Sequence, residues 1–303
     1  MKKTLIIGPT YVDIYSKVKQ LPKGNEDIDI LSTSQRVSGS GYENAKVFQT
    51  LGLDYDLISP VGEGVYGDSV KEQAIKENIC VIQIEGMMNG CTYTLSDQTG
   101  ETSRFIMPGA EYEFDRSFTD NLYSEDIDSV CLYADMLCGQ MTSIQELLEV
   151  LEEIDRPLYF IPNGRSQDVL EDAMDVITSF HPTMILSDTE AYYFAGEYSG
   201  ELRDTAKHLY EKTNGTVMII KQGEGVFVYD DGDSYIAPSK NGINSDHLIS
   251  LLLCAKQCGV DTKNALMFAI GFSNGELHPE QIKDRLKQLI MVCLLYTSQS
   301  PRD

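Results

Sequence analysis

Several stretches of this 303-residue chain set acids, glycines and small polar residues in patterns that can do chemistry. Asp13 lies in a short alternating β-prone run, and a carboxylate there can accept charge-assisted hydrogen bonds from two hydroxyl groups. A water-exposed aspartate in a turn has the same local signature. Gly39 and Gly41 flank Ser40 just ahead of a helical pattern that carries Glu43 and Asn44. Such a pair lets backbone come close to a small ligand, or simply makes a turn with a flexible cap. Gly223 and Gly225 punctuate a later turn between two β-prone runs. Gly242-Ile243-Asn244-Ser245-Asp246-His247 opens another helical pattern, and a helix start offers oriented N–H donors and partial positive charge to an anion. Asn244 or Ser245 can equally be a plain N-cap. Glu190 falls in a first helical turn, where an acid opposes the helix dipole.

These residues sit in a chain of strongly acidic balance. A formal charge of −23 repels polyphosphate backbones and argues against nucleic-acid binding, while leaving room for a small basic cleft. The seven cysteines are scattered, with no CxxC pair and no histidine cluster, so reduced thiols are the reading and no zinc site is expected. The first residues lack the long apolar segment and cleavage site of a secretory signal, which predicts a cytoplasmic protein. Apolar runs such as 248–255 fall well short of the ~20 residues needed to cross a bilayer, so no membrane association is expected.

The elements that must position the chemistry alternate strand and helix. Strands are predicted at 4–8, 11–18, 55–59, 130–134, 158–161 and 184–187, with helices at 42–51, 68–76, 143–153, 167–179 and across 189–213. This order predicts an α/β fold with a mostly parallel central sheet between helix layers. Thr92 to Ser96 and Arg104 to Met107, joined by the turn-prone 97–101, read instead as an inserted hairpin. A meander at 217–237 precedes three helices, near 246–257, 262–275 and 279–291. A single domain over 1–292 is expected. Residues 293–303 break the amphipathic pattern and are read as a foreign tail, similar to one frame of a sequencing adapter.

Segments in the family's order, from Lys3 to about Leu277, resemble those of ribokinase-like (PfkB) carbohydrate kinases. Gly8-Pro9-Thr10-Tyr11-Val12-Asp13 resembles the G-x-x-x-x-D segment and implies that Asp13 binds sugar hydroxyls. Ser38-Gly39-Ser40-Gly41-Tyr42-Glu43-Asn44-Ala45 resembles G-G-x-G-x-N-x-A, implying substrate contacts from Gly39 and Gly41, and from Glu43 or Asn44 according to register. Pro60-Val61-Gly62-Glu63 resembles the structural V-G-D segment. Pro108-Gly109-Ala110-Glu111 is similar to the P-G-A-N exit of the β lid, with Glu111 in the asparagine's place; the lid segments fall near 11–37 and 89–108. Phe160 to Arg165 resembles D-P-N-x-R. Ser187-Asp188-Thr189-Glu190 is similar to N-x-x-E, which implies that Glu190 orients a magnesium-bound water. Lys221 to Gly225 resembles the turn against the nucleotide.

In active members of the family a G-A-G-D loop at a helix start cradles the transferring phosphate on backbone N–H groups, and its aspartate takes the hydroxyl's proton. Here the ungapped register makes Asp246 that base, with Ile243, Asn244 and Ser245 in place of the small residues. A register shifted by one puts Ser245 there and leaves no base. In both, Gly242, Asn244 and Ser245 line the anion site, and β-branched Ile243 resists the backbone angles glycine allows. The resemblance implies ATP- and Mg²⁺-dependent phosphorylation of a sugar or nucleoside hydroxyl. The altered loop keeps a second reading open, a weak or inactive relative that binds sugar or nucleotide as a sensor or partner subunit. A homodimer through lid strand edges is a third.

Overall fold

The computed structural model describes residues 2–196, 201–239, 242–273 and 278–298, with side chains as far as 291. The first half runs β1 (Lys3–Ile7), β2 (Tyr11–Val18), β3 (Ile30–Ser38), α1 (Ser40–Leu51), β4 (Tyr55–Ile58), β5 (Pro60–Glu63), α2 (Gly64–Lys76), β6 (Ile82–Met88), β7 (Cys91–Ser96), β8 (Thr102–Met107) and β9 (Ile127–Tyr133). The second half runs α3 (Met141–Ile154), β10 (Leu158–Ile161), α4 (Glu171–Ser179), β11 (Thr183–Ser187), α5 (Asp188–Phe194), α6 (Leu202–Thr213), β12 (Val217–Lys221), β13 (Gly225–Asp230), β14 (Asp233–Pro238), α7 (Ser245–Gln257), α8 (Thr262–Phe272) and α9 (Pro279–Ser298).

Eight strands form the central sheet in the order β14-β13-β12-β11-β10-β9-β1-β4. Pairing is parallel from β4 to β12 and antiparallel at β13 and β14. Strands buried on both faces need unbroken apolar runs, as in Leu158–Ile161. Successive residues go to opposite layers. Ile6 joins Phe48 of α1, Leu251 of α7 and Phe268 of α8, whereas Leu5 and Ile7 join Leu147 of α3, Ile177 of α4 and Leu209 of α6. This is the α/β architecture with helix layers on both faces that the alternation predicts.

A second sheet, β3-β2-β7-β8, stands off the first. Its β7–β8 hairpin is held at the turn by Asp97, whose Oδ1 accepts from the Thr99 and Glu101 N–H groups at 2.8 and 3.0 Å. Strands β5 and β6 pair in parallel beneath the lid. The sequence pattern misses β3, β5 and β6, because β3 is exposed along most of its length and the other two are short or irregular. The helix predicted from residue 167 starts at Glu171. An Arg165–Asp168 ion pair at 3.1 Å and the bond from Asp168 N to Arg165 O hold the preceding residues in a turn. The end of the helix predicted to Gly275 and the last residues of the tail, 299–303, lie outside the described residues. Among the described residues six cysteines are free, and no helix is long and apolar enough to cross a membrane.

Candidate active site

One face of the lid sheet carries side chains whose charge reaches the start of α7. Register fixes which side chains share that face: Asp13 of β2 lies opposite Arg36 of β3 and Thr92 of β7, and Thr94 lies opposite Arg104 of β8. Asp13 Oδ1 accepts from Thr92 Oγ1 at 2.7 Å and from Thr94 Oγ1 at 3.3 Å, while its Oδ2 is 3.7 Å from Arg36 Nε. Arg104 reaches across to Tyr11, donating from Nη2 to the phenol oxygen at 2.5 Å, with its guanidinium 5.6 Å from the ring centre.

The floor is the start of α1. Gly39 has a φ of +118°, and a Cβ there would stand 2.3 Å from Pro9 O; at Gly41 it would stand 2.3 Å from Gly8 O. Both positions need glycine because the loop after β1 presses backbone to backbone against the start of α1. The Glu43 side chain is 19% exposed and 3.8 Å from Lys46. Asn44 has no accessible surface and donates to Ser40 O at 2.9 Å and to the Tyr133 phenol at 2.5 Å. Of the two residues the resemblance leaves open as the asparagine's equivalent, Glu43 is the one with exposed surface and Asn44 is enclosed.

Beside the start of α7 is a cavity of about 370 Å³ lined by Asn163, Gly164, Ser187, Glu190, Ser245 and Ile249 among others. Glu190 closes a capping box on α5: Oε2 accepts from Ser187 N and Oγ at 2.7 and 2.8 Å, and Ser187 Oγ accepts in return from Glu190 N. Its Oε1 accepts from Gly164 N at 2.6 Å. With three of about four acceptor positions filled, one remains open. Gly223 and Gly225 shape the β12–β13 turn, and a Cβ at Gly225 would stand 2.1 Å from Ala237 O. Among the described residues, a Cβ at Gly242 would meet only Gln222 Oε1, at 3.6 Å.

The loop before α7 leads directly to this cavity through Ser245. Ile243 is buried in the core, and the Gln222 amide clamps its backbone, accepting from Ile243 N at 2.7 Å and donating to Ile243 O at 2.9 Å. Asn244 is the N-cap, its Oδ1 accepting from His247 N at 3.0 Å. Ser245 and Asp246 then occupy the first turn, where N–H groups have no partner within the helix. Asp246 is pushed above the ordinary aspartate value, first by burial and then by Glu43, while His247, Arg104 and Arg36 pull it back. Charges of α1 and of the lid therefore act on the same carboxylate. Arg36 stands 3.7 Å from Asp13 and its charge also acts on Asp246, so one guanidinium is felt by both predicted acids.

Residues 1–243 match the family described as pfkB family carbohydrate kinase. The chain belongs to this family. Its uncharacterized sugar kinase relative YegV of Escherichia coli is 23% identical over 245 residues, covering 78% of this chain and 75% of the relative. The ribokinase of Giardia lamblia has a TM-score of 0.79 at 17% identity, covering 95% of this chain and 99% of that one. For the Arabidopsis thaliana ribokinase complexed with ribose and ATP the values are 0.73 and 15%, over 96% and 99%. The fold of this pfkB-family protein is accordingly the ribokinase fold. The family match ends one residue before Asn244, so α7 and Asp246 lie beyond it.

The pfkB cleft also holds groups that sequence reasoning missed. Asp135, in a short turn after β9, is 4% exposed, with Oδ1 3.8 Å from Arg165 Nε and Oδ2 3.4 Å from Asn163 Nδ2. Burial raises its pKa against the pull of Arg165, Asn163 and Arg104. Tyr11, Arg36 and Arg104 were missed because they carry no motif of their own. The signal available for them was strand alternation, which places Tyr11, Asp13 and any aligned lid residue on one face.

Proposed function

We propose that this chain transfers the γ-phosphoryl group of ATP to a hydroxyl of a sugar or of a nucleoside's sugar, with Asp246 as the base. One observation carries the reading. Asp246 sits half-buried in the first turn of α7, under the charges of the lid and of α1, while its neighbour Ser245 lines the 370 Å³ cavity. Asp13 would hold substrate hydroxyls, and the backbone at Gly39 and Gly41 would floor the sugar site. The hydroxyl oxygen bonds to the γ-phosphorus as the bond to the ADP oxygen breaks, and the hydroxyl proton goes to Asp246. Mg²⁺ would supply charge neutralisation, with Glu190's remaining acceptor position toward one of its waters. The β12–β13 turn at Gly223 and Gly225, with Gly242, Asn244 and Ser245, would lie along the nucleotide.

The test is ADP release on mixing the protein with ATP, Mg²⁺ and a panel of sugars and nucleosides. Acceptor-dependent ADP well above the water background supports the kinase, and its absence across the panel counts against it. A second reading, a weak or inactive binder, is favoured by the loop itself, where Ile243 N–H is spent on Gln222 and His247 N–H on Asn244. That reading predicts thermal shifts on adding ATP or a sugar without turnover. A homodimer through β3 or β8, the outer strands of the lid sheet, belongs to the same proposal and is tested by sedimentation.

A further inference from the structure

The kinase reading gives two guanidinium groups of the lid no work beyond their pull on Asp246. Arg36 lies on one outer lid strand and Arg104 on the other, and both share the face of Asp13, which stands between them. Arg104 has five N–H donors, of which one goes to the neutral Tyr11 phenol. Among the described residues no carboxylate lies within the 4.0 Å ion-pair range of Arg104. The Arg36 side chain is 71% exposed, and its Nε stands 3.7 Å from Asp13, too far for a hydrogen bond. The rest of the protein runs the other way, with 47 acidic residues against 24 basic ones. Such a surface repels an anionic solute, so open arginines facing the cleft give it the local field such a solute needs. A neutral sugar has no use for them, since Asp13 already offers hydroxyl acceptors.

We infer that the acceptor is an anionic sugar, bearing a carboxylate or a phosphate that Arg104 and Arg36 grip from the lid while Asp13 takes its hydroxyls. Guanidinium suits this because its planar fork bonds either group through two parallel N–H donors. The inference rests on the kinase reading for the word acceptor, but not for the binding.

The test is calorimetric titration without ATP, using gluconate, glucuronate and glucose 6-phosphate against neutral glucose, ribose and inosine. An anionic sugar should bind at least ~100-fold more tightly than its neutral counterpart, and Arg104→Ala should weaken it by at least ~10-fold, as loss of a charge-assisted pair implies. The carboxylate and phosphate arms identify the group. Arg104→Lys keeps the charge and should restore only part of the loss. ATP affinity should stay within about twofold in both variants, because the gripped group is on the sugar. Equal binding of neutral and anionic sugars overturns the inference, as does an Arg104→Ala effect confined to ATP affinity or to the pH profile. If anionic sugars bind through Arg104 but yield no ADP with ATP and Mg²⁺, the kinase reading fails and the inference stands. If a neutral sugar is phosphorylated as fast by Arg104→Ala as by the parent, the inference fails and the kinase stands.

Discussion

The lid wall and the loop wall of this cleft spend their hydrogen-bonding groups in opposite ways. On the lid, Asp13, Arg36 and Arg104 are held by partners that leave part of each group open, so the wall is organised yet still able to bind. At the loop, Gln222 and Asn244 take up backbone groups that a phosphate cradle would otherwise use. Side-chain groups are thus left open on the lid, while backbone groups are spent at the loop. A side-chain site tolerates changes nearby, whereas a backbone cradle depends on the dihedral angles of every residue in it.

The comparison can be broken or sharpened by substitution. Asp246→Asn removes the proposed base and should lower kcat by ~10³-fold, within the range for general bases, with little change in acceptor KM; an unchanged kcat refutes the assignment. The triple change Ile243→Gly, Asn244→Ala and Ser245→Gly restores glycines to the loop and should raise kcat by ~10²-fold. Loss of the buried Ile243 side chain should cost the same variant about 2–4 kcal/mol in urea unfolding. A slower variant would show that the native loop already suits the phosphate.

Glu111 sharpens the picture of the lid hinge. It is 1% exposed and accepts from Gly90 N at 2.7 Å and Gly109 N at 3.1 Å, so it ties together the two ends of the lid hairpin. Burial raises its pKa from 4.5 to about 7. Its stability contribution is therefore full below the unfolded value and lost as pH rises through about 7, by at most ~3 kcal/mol. Glu111→Gln cannot titrate, so it should gain stability relative to the parent between pH 4.5 and 8, measured as the difference in unfolding free energy. A constant difference would place the titration elsewhere. The smallest effect is Asn244→Ala, which removes the α7 cap and should cost about 1 kcal/mol in the same unfolding experiment.

The central sheet was legible because its strands are apolar runs and its helices are amphipathic, and both periods survive in sequence. Strand β3 was not, since a lid strand open to water carries polar residues such as Ser32, Thr33, Ser34 and Gln35 with little apolar alternation. In the site, glycine and aspartate at fixed offsets pointed to Asp13, Gly39, Gly41 and Asp246. Arg104 escaped because its contact with Tyr11 spans 93 residues and exists only once β7 and β8 pair. Asn44 looked available until helix geometry turned it onto Ser40, four residues back.

The most direct test of the central claim is an NMR titration of ¹³C-labelled aspartate carboxyls in the ligand-free protein, with Asp246 assigned by its Asn variant. The account predicts an Asp246 pKa above the ordinary aspartate value, lowered by Glu43→Gln and raised by Arg36→Ala or Arg104→Ala. An Asp246 that titrates normally and ignores all three substitutions would mean that α1, the lid and α7 do not meet at one carboxylate.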